Sequence, residues 1–134
     1  MGRVIASVIG GLLFFSLAEY ALGTLAIGLW PEYAAAIGNR AFTLGMLWSR
    51  LAAGAAATTL AALVAAKLSK NNRVVGFWFG VSLLVLSVLW HLHIWAKYPV
   101  WYHLTWFAII IPAALFGGRR SKRLSRNRAQ GDSA

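Results

Sequence analysis

Between Val4 and Trp30 the only charged side chain is Glu19. A helix over such a run is roughly 40 Å long at about 1.5 Å per residue, more than the roughly 30 Å of a bilayer's hydrocarbon core. A chain of 134 residues has no soluble interior large enough to hide it. Three more apolar runs follow, at roughly 41–66, 74–95 and 100–116, the last near the minimum of about 17 residues for a span. The chain is 60% hydrophobic, with a mean hydropathy of +0.66 and three acidic residues. A soluble surface needs roughly a quarter to a third of charged residues. The sequence therefore predicts an all-α integral membrane protein, a four-helix up-down bundle over 1–118 with a basic tail at 119–134. The first run resembles a signal peptide, but it is about twice the usual core length and is read as a retained helix. Gly2 is no myristoylation site, because Ala6 stands where that signal needs Ser or Thr.

The connections are short. Trp30-Pro31-Glu32 breaks the first span, 67–73 forms a basic turn, and Lys97-Tyr98-Pro99 returns the chain, with proline suited to the first turn of a helix. Basic residues gather at Arg3, at Lys67, Lys70 and Arg73, and at Arg119, Arg120, Lys122, Arg123, Arg126 and Arg128; the other side has only Arg40 and Lys97. The positive-inside rule places both termini in the cytoplasm. Trp30, Trp48, Trp95, Trp101, Tyr98 and Tyr102 then fall near the outer interface, where amphipathic rings settle. Ala53, Ala57, Ala61 and Ala65 recur at intervals of four, and Gly76 and Gly80 make a GxxxG; both patterns allow close helix packing and are read as packing rather than oligomerisation.

Ionisable residues inside spans are few, and each is expensive to leave in lipid. Counted from the cytoplasmic ends, Glu19 lies roughly 22 Å up, Arg50 roughly 24 Å, His91 roughly 25 Å and His103 roughly 20 Å. All four spans thus contribute to one polar layer in the outer third of the membrane, with Tyr20, His93, Lys97 and Tyr102 close enough to join. Glu19 and Arg50 are expected to pair, locking the first span to the second. The same carboxylate, poised by Arg50, suits a proton- or cation-binding role. His91 and His93 are two residues apart and face different sides of a helix, so only one of them can share a ligand with His103. Such a cross-helix pair is the one route to a haem or a metal ion, and the plainer expectation is that each imidazole bonds a carbonyl or hydroxyl, with no cofactor.

Pro112 interrupts the hydrogen bonding of the last span and bends it. The basic tail, expected to be disordered in isolation, lacks aromatic residues to stack on bases, which argues against nucleic acid. Its place after a cytoplasmic helix end makes Arg119, Arg120, Lys122 and Arg123 contacts for anionic lipid headgroups. The absence of cysteine removes disulfides, thiolate metal sites and cysteine nucleophiles.

Three short motifs, Leu17-Ala18-Glu19-Tyr20, Pro99-Val100-Trp101-Tyr102 and the Pro-x4-Gly-x-Arg of Pro112 to Arg119, resemble those of small four-helix bacterial membrane proteins of unassigned function. The resemblance implies a bundle in the bacterial inner membrane and no activity. With no nucleotide motif and no paired carboxylates, the expected function is that of a non-catalytic accessory or stabilising subunit of a larger membrane complex. A small proton- or ion-coupled transporter using Glu19 and Arg50, and a His-ligated cofactor-binding bundle, are the alternatives.

Overall fold

The computed structural model describes residues 1–39, 41–69 and 72–131, with residues 72, 73 and 122–131 described as backbone only. Among these residues it is entirely helical, with five α-helices, and four of them are long and apolar enough to cross a membrane. The elements are α1 (Gly2–Leu29), α2 (Pro31–Asn39), α3 (Leu44–Leu68), α4 (Asn72–Ile94) and α5 (Val100–Gly131), with a 3-10 turn, Trp95–Lys97, after α4.

Each boundary has a local cause. Pro31 keeps the residue before it out of the α region, and Trp30 accordingly adopts φ −131° and ψ 89°, ending α1. Pro31 then opens α2, where its missing N–H is no loss and Glu32 faces the positive end of the new helix. This short helix is a correction to the four-helix expectation, which treated 31–40 as a simple connection. Thr43 starts α3, its hydroxyl accepting the Met46 N–H at 3.3 Å, so the helix begins three residues later than the apolar run. Pro99 sits just before α5, its carbonyl accepting the Tyr102 N–H at 3.0 Å. The last helix does not stop near residue 116 but continues to Gly131, through an exposed Pro112. Nothing in the basic segment breaks a helix, since Arg, Lys, Ala and Gln all favour one.

α3 is the hub and packs on α1, α4 and α5. Gly11 of α1 faces Ala65 and Phe79, Gly54 of α3 faces Trp106, and Gly76 of α4 faces Ala114 and Gly118, contacts that run the four long helices alternately up and down. The alanine stripe of α3 is the packing face, with Ala57, Ala61 and Ala65 buried. The GxxxG of α4 lies against α5 within the same chain. Leu51, Phe79, Leu83, Ile110 and Ala114 fill the centre. Hydroxyls in the long helices bond back to carbonyls one turn earlier, as Ser7 does to Arg3 at 2.7 Å and Thr58 to Gly54 at 2.8 Å. These side chains therefore ask nothing of other helices. α1 is held mainly at its beginning: its buried residues are Ser7, Val8 and Gly11.

The closest approach of α3 and α5 gives a stability prediction. A methyl group at Gly54 would fall inside the Trp106 ring, whereas one at Gly28 would meet nothing within 4 Å. Gly54→Ala is expected to cost about 1–3 kcal/mol by overpacking, while Gly28→Ala is neutral or slightly favourable. Thermal unfolding of both variants in one detergent checks the contrast.

Candidate functional site

Only a few polar groups in the long helices depend on other helices, and they meet near the α2 end of the bundle. Arg50 is the centre. One turn and a half into α3, it points toward α2 and donates from Nη1 to the Tyr33 hydroxyl at 2.7 Å. Its guanidinium carbon lies 5.6 Å from the centre of the Tyr98 ring, a cation–π distance, and the buried Tyr102 is within its electrostatic reach. The rings close round it in sequence: Trp30 stacks on Tyr33 at 5.8 Å, Tyr33 meets Phe42 at 5.9 Å, and Phe42 meets Tyr98 at 5.2 Å. Tyr33 can do this because α2 folds back, with Tyr33 and Ala36 buried against Met46 of α3.

Glu19 shares this end with Arg50 but is not bonded to it. The two are electrostatically coupled, yet among the described residues no hydrogen bond or ion pair joins them, and the buried Oε1 of Glu19 has no hydrogen-bond partner. The expected lock between the first two spans is thus replaced by the Arg50–Tyr33 bond. Its physical reason is α2, which brings a phenol to the guanidinium ahead of the carboxylate. Glu19 and Arg50 instead line a half-open cleft of about 230 Å³, together with Leu22, Gly23, Ala26, Trp30, Tyr33, Ser49 and Ala53.

Beside this cleft, across Tyr102, lies a box of rings. His103 is fully buried, stacked on Trp95 at 4.5 Å with 10° between the planes, and its Nε2 lies 3.3 Å from the Trp95 carbonyl. That bond assigns the proton to Nε2. His91 packs edge-on to His103 at 4.9 Å and touches Phe107 at 5.1 Å and Trp106 at 6.2 Å. The Nδ1 atoms of both histidines are buried without hydrogen-bond partners. The two rings are in contact, so a porphyrin between them would require α4 and α5 to part. They remain the only residues of the layer that face each other as a potential ligand pair, and among the described residues no three histidine or carboxylate groups gather for one ion.

Of the residues singled out from the sequence, the structure brings together Glu19 and Arg50 at the cleft, and His91, His103 and Tyr102 in the ring box. Tyr20 is 76% exposed on the far side of α1, and His93 and Lys97 are exposed. Arg119 and Arg120 are exposed, Arg119 beside Val74, Phe77, Trp78 and Leu115 and Arg120 over the Phe116 ring at 5.3 Å. The side chains of Lys122 and Arg123 lie outside the described residues. Tyr33 was missed because it falls in an apparent connection, although Pro31-Glu32 is a helix-start signal; Trp95 was read only as an interfacial ring.

The fold and its polar layer define an all-helical protein with four membrane-length helices and a half-buried guanidinium among tyrosines. Comparison with protein-family models, curated proteins and solved structures finds no match for the chain.

If the histidines act here as packed rings, shape matters more than basicity. His103→Ala is expected to cost about 2–5 kcal/mol, while His103→Phe, which keeps the stack on Trp95, costs less than about 1.5 kcal/mol. Chemical or thermal unfolding in detergent separates the two.

Proposed function

We propose that this chain is a non-catalytic multi-pass protein of the bacterial inner membrane, with both termini in the cytoplasm, acting as an accessory subunit of a larger membrane complex. The observation that carries this reading is the second half of α1. Beyond Gly11 this helix has no buried residue, and Leu13, Leu17 and Tyr20 form a ridge 63%, 69% and 76% exposed. That ridge lies on a different face from Glu19, Leu22, Gly23 and Ala26, which turn toward the cleft. A membrane-spanning helix of another subunit is the occupant that suits an apolar ridge beside a helix secured at one end. The orientation rests on the distribution of Lys and Arg, and the bacterial membrane on the motif resemblance.

A second reading, a proton- or ion-coupled transporter, is favoured by the unbonded Glu19 carboxyl. Against it stands the packing beneath the layer, where Leu51, Phe79, Leu83 and Ile110 fill the middle of the bundle and would have to separate for a path to open. A transporter would show pH-dependent flux in liposomes that disappears in Glu19→Gln.

Native mass spectrometry of the untagged protein, gently extracted from its own membrane, is expected to give a stoichiometric assembly with a defined partner. Recovery only as a monomer or homo-oligomer would overturn the accessory role. Because the chain has no cysteine, single cysteines report its orientation cleanly. A membrane-impermeant maleimide is expected to label Asn39→Cys in intact spheroplasts and Gly2→Cys only after permeabilisation.

A further inference from the structure

We infer that the cleft between α1, α2 and α3 is a binding site for a zwitterion carrying a primary ammonium and a phosphate, the ammonium against Glu19 and the phosphate against Arg50. This site goes beyond the accessory role and does not depend on it.

The cleft presents two opposite charges side by side without joining them. Arg50 spends Nη1 on Tyr33 and also interacts with the Tyr102 hydroxyl, two phenols for a group with more donors than that. A guanidinium has five donors in a planar fork, a geometry that matches phosphate oxygens. Glu19 supplies the complement, a carboxyl that lines the cleft and whose Oε1 takes no hydrogen bond from the protein. A ligand with only an anion would leave Glu19 unmatched and repelled, and one with only a cation would face Arg50. A zwitterion satisfies both.

Size and depth agree with this chemistry. About 230 Å³ is the room of roughly eight waters at about 30 Å³ each, the scale of phosphoethanolamine with its roughly eight non-hydrogen atoms. Arg50 lies six residues into α3, roughly 9 Å from the helix start, the depth at which headgroups give way to acyl chains. The walls match as well. Glu19, Leu22, Gly23 and Ala26 share one face of α1 at helical spacing, so the carboxyl sits on a strip that is otherwise small and apolar. Trp30 and Tyr33, stacked on each other, border the other side. One stacked pair is not the aromatic cage that selects a quaternary ammonium. Glu19 instead calls for N–H donors, which ethanolamine has and choline lacks. Gly23 keeps the space open, for a side chain there would meet nothing within 4 Å of its first carbon.

The test uses the full chain, purified in detergent, stripped of lipid and titrated in native mass spectrometry with phosphatidylethanolamine, phosphatidylcholine and phosphatidylglycerol. Phosphatidylethanolamine is expected to bind at least tenfold more tightly than either of the others. Glu19→Gln should erase its advantage over phosphatidylcholine. Gly23→Leu, which fills the cleft and leaves both charges in place, should weaken phosphatidylethanolamine binding by tenfold or more. Millimolar O-phosphoethanolamine in competition identifies the source: displacement of the lipid assigns the site to the free zwitterion as well, and its failure assigns it to the lipid. Equal binding of the three lipids, tighter binding of phosphatidylglycerol, or a phosphatidylethanolamine preference that survives both substitutions would overturn the inference.

Discussion

The bond from Arg50 to Tyr33 is the interaction on which the α2 end of this bundle depends. A guanidinium withdrawn from water must be satisfied by the protein or drawn to the surface. Here its Nη1 is held by a phenol from a helix only nine residues long. That requirement explains why α2 folds back over α3 rather than spreading along the surface. Tyr98 adds the polarisable face that a cation prefers, and Phe42 packs against that ring in turn.

The rest of the chain divides the work differently. Toward the turn between α3 and α4, contact is made by small residues, Gly11 on Ala65 and Gly76 on Ala114, which let the long helices approach closely. The buried hydroxyls of Ser7 and Thr58 are satisfied within their own helices. At the other end, large rings and the few ionisable residues replace the small ones. One half of the bundle is thus built for packing and the other for polar contact, and α1 belongs firmly only to the first. The freedom of its second half creates both the exposed ridge and the cleft.

Much of this was legible in the residues, and what was not has a physical cause. The four long helices follow from apolar runs that no loop could contain, and the choice between His91 and His93 was narrowed to one by helical geometry. Register alone did not say that His91 faces inward; packing against His103, Phe107 and Trp106 decides it. α2 escaped notice because nine residues rich in alanine carry too little periodicity to distinguish a helix from a connection. The depth count put Glu19 and Arg50 at one level, and both line one cleft. It could not foresee Tyr33 reaching Arg50 first, since that contact depends on the fold of the connection. The length of α5 was underestimated because the apolar run ends well before the helix does.

The most direct test compares the stability of Tyr33→Phe with that of Glu19→Gln in lipid-free detergent. The Arg50–Tyr33 account predicts that Tyr33→Phe, which leaves a charged donor without its partner, costs about 1–3 kcal/mol, whereas Glu19→Gln changes stability by less than about 1 kcal/mol. A silent Tyr33→Phe, together with the roughly 3–5 kcal/mol loss in Glu19→Gln expected of a broken buried ion pair, would contradict it.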